Sequence, residues 1–182
     1  MSLPSADLNQ PLRIDSVRLG NGAVLGMSHC PGRRGADDQG RLWQRDLDQD
    51  LCAIVAWGAS TVLSLIDSSE FVRLGVDDFG AAIARTPMTW LQWPIADMKT
   101  PGPATCLAWQ QSGPVLLDAI DRGDRVLVHC AAGLGRTGMM VASLMAGQGV
   151  SADESIRLVR AARPGTIETE AQAQWVRGRG LG

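Results

Sequence analysis

The chain has 182 residues, 45% of them hydrophobic and 20% charged, with a formal net charge of −2. A chain of this length suits one domain with a sizeable core, and its near-neutral charge gives no electrostatic case for nucleic acid or an anionic membrane. No apolar run approaches the ~20 residues that span a bilayer.

Residues 1–15 are polar and broken by Pro4 and Pro11, so we expect a flexible tail there and a folded core over 16–177, all in a single domain 1–182. Met1 to Gln10 lacks the basic-then-apolar pattern of a secretory signal, which makes the cytoplasm the expected location. Four scattered cysteines (Cys30, Cys52, Cys106, Cys130), without a Cys-x-x-Cys pair and with only two histidines, argue against a disulfide framework and against a metal site. His29-Cys30 is a ligand pair with no second pair to join.

In chain order, residues 24–28 read as a first strand and residues 30–35 as a turn. Residues 41–57 carry Leu47, Leu51, Ile54 and Val55 at helical spacing, with Gly58 as the stop. Residues 61–66 are a strand, 70–85 a helix weakened by Gly75 and Gly80, and 88–93 a strand emptying into the loop 94–103. A helix is expected over 105–122, kinked or interrupted at Gly113-Pro114. Ser151 and Glu154 form a capping-box pattern for a helix reaching about Arg163, and residues 168–177 read as a last helix. Helices alternate with strands, so the expected fold is α/β: a central, mostly parallel sheet with helices on both sides. The six tryptophans are expected to be core or half-buried residues, with Trp93 a candidate for exposure beside a site.

The informative stretch is His129-Cys130-Ala131-Ala132-Gly133-Leu134-Gly135-Arg136-Thr137-Gly138. The valine-rich run 125–128 before it reads as a buried strand, and good helix formers follow over 139–146. A cysteine therefore closes a strand, and an arginine opens a helix. Helix N-termini and small-residue loops present unpaired N–H groups to an anion. Ala131, Ala132, Gly133, Leu134, Gly135 and Arg136 are the candidate phosphate-binding residues, with the Arg136 fork matching two phosphate oxygens. Cys130, at the base of this positive bowl, is expected to be held partly as a thiolate and to act as nucleophile.

Cys130 and Arg136, with five residues between them and Thr137 following, resemble the Cys-x5-Arg signature of the cysteine-dependent protein tyrosine phosphatase superfamily, dual-specificity type. Pro94-Ile95-Ala96-Asp97, with Thr100-Pro101 and Leu134-Gly135-Arg136, looks most like the kinase-associated phosphatase subgroup. The resemblance implies a protein tyrosine phosphatase-like fold and a metal-independent phosphomonoester hydrolase with no cofactor, working through a phosphocysteine. Its substrate would be a phosphorylated protein, a kinase being one candidate; nucleic acid and membrane are not expected partners. Asp97, 33 residues before Cys130 in a loop after a strand, matches the general acid/base. Thr137 would hydrogen-bond the cysteine sulfur and stabilise the thiolate, and His129 would orient the loop.

Residues 164–172 resemble the late glutamine loop of related enzymes. Glu168 stands where tyrosine-specific members often have glutamine, so Glu168 and Gln172 read equally as a surface helix start. Arg157, Arg160 and Arg163, recurring every three residues, read either as a basic stripe for a phosphoprotein or, preferred, as a solvated helix face, and Arg33-Arg34 is similarly ambiguous. No lysine stands in the cradle and the chain contains no tyrosine, which favours a shallow, dual-specificity pocket for phosphoprotein over inositol lipid. The alternative function is a phosphopeptide-binding module of the same fold, without turnover.

Overall fold

A computed structural model describes residues 10–178 of the chain. Five strands form the main sheet: β1 (Asp15–Arg18), β2 (Val24–Ser28), β5 (Ala59–Ser64), β6 (Thr89–Gln92) and β7 (Arg125–His129), in the order β1-β2-β7-β5-β6. β1 pairs with β2 antiparallel, and every other pairing is parallel. The central β7 shows why helices must cover both faces. Val126, Leu127 and Val128 point alternately up and down, yet all three are fully buried. Helix α5 (Gly135–Gly147) packs on β2 and β7 and against α6 (Ala152–Ala162) and α7 (Glu170–Arg177), while α1 (Leu47–Trp57) and α4 (Pro103–Asp121) pack on β5. Among the described residues no helix is long and apolar enough to cross a membrane.

The elements differ from expectation where local chemistry outweighs periodicity. The helix expected from Arg41 starts only at Leu47, because the Asp46 carboxylate caps it by accepting from the Gln49 N–H at 2.9 Å. The residues before it form instead a separate two-stranded ribbon, β3 (Arg34–Ala36) with β4 (Leu42–Gln44). None of the ribbon's six strand residues is buried, so no apolar alternation announced it. The helix expected over 70–85 is two short ones, α2 (Ser68–Arg73) and α3 (Phe79–Ile83). The break falls at Gly75, whose φ of +70° no helix interior allows. Conversely, α4 runs unbroken through Pro114, which costs it one internal hydrogen bond.

Residues 1–9 of the expected tail lie outside the described residues. Its remainder is not loose: Leu12 is buried in the core and Asp15 opens β1. Trp93, a candidate for exposure, is fully buried, its ring edge against Trp109 and its indole N–H donating to Ser112 Oγ at 2.7 Å.

Candidate active site

Parallel strands of this sheet end together, and the loops at their carboxyl ends meet in one cleft. The cleft has a volume of about 440 Å³, and Asp97, Cys130, Ala131, Ala132, Leu134 and Arg136 all line it. Of the residues predicted for the site, Gly133, Gly135 and Thr137 complete the same loop and the first turn of α5 beneath them.

The loop is shaped by what its carbonyls do. Ala131 O accepts from the Cys30 N–H and from Arg33 Nη1, both at 3.0 Å. Gly133 O accepts from Arg163 Nε at 2.8 Å and Ala132 O from Arg163 Nη2 at 3.3 Å. With these oxygens tied outward, the intervening N–H groups are left to face the bowl, which is the arrangement an anion needs. Gly133 has a φ of +72°, and a Cβ there would strike the backbone of Ser28 and His29. Its N–H reaches Cys130 Sγ at 3.3 Å. No side chain caps α5, so its first-turn N–H groups also remain for a ligand.

Arg136 is almost completely buried. Its Nη1 and Nη2 donate to the two Glu70 oxygens at 2.6 and 3.1 Å, and Nη1 also donates to Ile95 O at 2.9 Å. Burial works against its charge, but the Glu70 hydrogen bonds and the charges of Cys130, Glu70 and Asp97 outweigh it and raise its pKa. Asp97 is more than half exposed, with Oδ1 3.0 Å from Arg136 Nη2. The same oxygen accepts from the Met98 N–H, and Met98 adopts a left-handed φ of 59°.

Behind the cysteine, a hydrogen-bond chain fixes His129. Trp90 Nε1 donates to Ser64 Oγ at 2.9 Å, Ser64 Oγ meets His129 Nε2 at 2.6 Å, and His129 Nδ1 meets Cys130 O at 3.2 Å. Burial lowers the His129 pKa to about 4, against the pull of the Cys130 carbonyl, so the ring is neutral at pH 7. A neutral ring satisfies all three contacts only with its proton on Nδ1. Its place in the chain is that of a loop-orienting group.

Thr137 departs from expectation. It is fully buried, but its hydroxyl has no hydrogen-bond partner, so the expected bond to the Cys130 sulfur is not formed in this structure. Gln172 is fully buried and completes the cap of α7, its Oε1 accepting from the Glu168 and Thr169 N–H groups and its side chain lying beside Gly135. Glu168 lines the cleft, its carboxylate against Gly135. The arginine series does not form one solvated face. Arg157 pairs with Glu154 at the surface, Arg160 donates to Thr166 O and Ile167 O, and Arg163, paired with Asp15 at 2.8 Å, holds the loop.

Sequence reasoning missed Glu70, Arg33 and Arg163 as site residues. Each acts across a gap of thirty residues or more, and no local pattern marks such a contact. All four cysteines are free thiols; burial pushes the Cys30 pKa far above the usual thiol range, while Cys52 and Cys106 lie exposed. Among the described residues no group of three or more His, Cys, Asp or Glu side chains is placed to hold a metal ion.

A family model described as "Dual specificity phosphatase, catalytic domain" matches residues 84–178. Protein tyrosine phosphatase domain-containing protein 1 of Danio rerio is 48% identical over 54 residues, which is 29% of this chain and 8% of that protein. Tyrosine-protein phosphatase CDC14 of Candida albicans is 41% identical over 58 residues, 31% of this chain and 10% of that protein. The matched segments thus span about a tenth or less of these relatives' own length. Among solved structures, a kinase associated phosphatase with its catalytic-site cysteine replaced by serine superposes with a TM-score of 0.79 at 21% identity, covering 92% of this chain and 93% of that one. Tk-PTP in its active form gives a TM-score of 0.60 at 24% identity, over 86% and 90% of the two chains. At these identities the structural likeness speaks for the fold, which is that of protein tyrosine phosphatases.

Proposed function

Because this chain belongs to the family of dual specificity phosphatase catalytic domains, matched over more than half its length, we propose that it hydrolyses phosphomonoesters on phosphoproteins by way of a phosphocysteine. One observation carries the reading: Cys130, the loop's N–H groups, Arg136 and Asp97 share one cleft, with Asp97 at hydrogen-bonding distance from the phosphate-binding arginine.

In the first step the Cys130 thiolate attacks phosphorus in line, an S–P bond forms and the P–O bond to the substrate breaks. Asp97 gives its proton to the departing oxygen. In the second step Asp97 takes a proton from water, the water oxygen attacks phosphorus, and the S–P bond breaks to release phosphate and restore the thiolate. Arg136 and the N–H groups of residues 131 to 136 hold the three equatorial oxygens, which carry much of the transition-state charge. Arg136 is pre-aligned by Glu70, so little ordering entropy remains to be lost on binding. Thr137, one residue beyond Arg136 and without another partner, is free to turn its hydroxyl to the sulfur as the thiolate re-forms. Four unpaired thiols suit a reducing compartment such as the cytoplasm.

The test is hydrolysis of a small aryl phosphate in EDTA by the wild type and Cys130→Ser. Turnover that survives EDTA and vanishes in Cys130→Ser is the expected result. A folded, reduced wild type that binds phosphopeptides but does not turn over would replace this reading with that of a binding module.

A further inference from the structure

Among the described residues, Arg33 is a buried cation without a counter-ion. Only 6% of its surface is exposed, yet among the described residues it makes no ion pair. Its Nη1 donates to Ala131 O, while among the described residues its buried Nε has no partner and Nη2 makes no hydrogen bond. The guanidinium lies 4.2 Å from the centre of the Trp43 ring, and both residues line the cleft that holds Cys130. Asp37, in the turn between β3 and β4, is a carboxylate whose charge acts on it, but it is already committed elsewhere. One Asp37 oxygen accepts from the Gln39 and Arg41 N–H groups, the other from Trp43 Nε1, and Arg41 pairs with it at 3.2 Å. A desolvated charge left this way is costly, and proteins keep such groups where a ligand completes them.

The position of Arg33 separates it from the phosphate cradle. A loop peptide points its carbonyl and its N–H in opposite directions, and Arg33 holds a carbonyl. It therefore sits on the outer side of the loop, one residue beyond the cysteine, where Trp43 forms the cleft wall.

Taking the phosphatase reading as its basis, we propose that Arg33, seated on Trp43, is a second anion subsite that takes a carboxylate or phosphate lying beside the scissile phosphate on the same phosphoprotein. The chemistry is that of a planar guanidinium, which favours oxyanions with two acceptor oxygens. The enzyme would then select phosphorylated residues in acidic or multiply phosphorylated segments.

The test uses three phosphotyrosine peptides of equal length, flanked by glutamine, by glutamate or by phosphoserine. Their dissociation constants are measured against Cys130→Ser protein with and without Arg33→Gln. The anion-flanked peptides should bind about tenfold to a hundredfold more tightly than the glutamine peptide, the range for a charge-assisted bond, and Arg33→Gln should bring the ratio near one. The glutamate and phosphoserine arms tell the two anion sources apart. Because the readout is a ratio, a general loosening of the loop by the substitution cancels. Equal binding of all three peptides by the parent, or a ratio that survives Arg33→Gln, overturns the proposal. Should Arg33→Gln not fold, Trp43→Leu removes the platform and should shrink the same ratio; a ratio it leaves intact counts against the subsite. Binding needs no turnover, so this result and the EDTA assay can fail separately.

Discussion

Glu70 and Arg136 lie 66 positions apart in sequence, yet they meet face to face, the α2 carboxylate receiving both terminal nitrogens of the arginine at 2.6 and 3.1 Å. The pair settles the direction of the fork before any phosphate arrives. Removing one member of a buried pair leaves the other charge uncompensated, at a cost of about 3–5 kcal/mol. Glu70→Gln should therefore lower the melting temperature and reduce kcat/KM for an aryl phosphate by about tenfold or more. Addition of phosphate, which supplies a new partner for Arg136, should recover part of the lost melting temperature. A variant with wild-type stability and rate would show that the clamp is dispensable.

In the proposed mechanism, the contact of Asp97 with Arg136 links acid catalysis to binding. A bound phosphate competes for the same Nη2, so occupancy should release Asp97 toward the leaving oxygen. For Asp97→Asn we expect kcat to fall about 10²-fold or more on an alkyl-like or weakly acidic phenol leaving group, and much less on nitrophenyl phosphate. Affinity for inorganic phosphate should hold or tighten, since a competing carboxylate is gone. An equal loss of rate for all leaving groups would remove Asp97 from the acid role.

Acid should unfold this protein through its two histidines. Burial lowers both His29 and His129 to about 4 from the ordinary imidazole value of about 6.5. Their neutral forms are favoured when folded, so the unfolded chain binds more protons wherever the pH lies between those values. The stability they contribute is complete above about pH 6.5 and is lost as pH falls toward 4, by roughly 3 kcal/mol per histidine. Urea midpoints should drop between pH 7 and pH 5, and His129→Asn should flatten that slope. Midpoints independent of pH over this interval would contradict the burial argument.

Gly133→Ala should be among the most damaging single methyl additions to the loop. The residue needs a positive φ, and the new carbon would meet the end of β2. We expect loss of phosphate binding together with a lower melting temperature. Gly35→Ala, also at positive φ but with open space around it, should cost about 1–2 kcal/mol of stability and leave catalysis near wild type.

The chain's motif was legible because its parts are local. A valine strand, a small-residue loop and a helix start lie within about twenty residues, and their spacing alone brings Cys130 under Arg136. Asp97 was legible because the loop after β6 must open on the same sheet edge as the loop after β7. The supports were not. Glu70 read as one more helical acid, Arg163 as a surface charge and residues 41–46 as helix, since hydrophobic spacing is blind to a hydrogen bond made 30 or 66 positions away. Trp93 misled for a related reason: its place before the acid loop suggested exposure, but an indole with Ser112 to receive its N–H buries without penalty.

The β3–β4 ribbon shares no hydrogen-bond ladder with the five-stranded sheet, although Trp43 and Ala36 wall the cleft. In the proposed reading, the ribbon lends Trp43 to substrate choice while the reacting thiol stands on the sheet. The two parts are nevertheless coupled, because Arg33, seated on Trp43, also holds the Ala131 carbonyl of the cysteine loop. A change in the ribbon that shifts Trp43 should therefore reach the Cys130 loop through this one arginine.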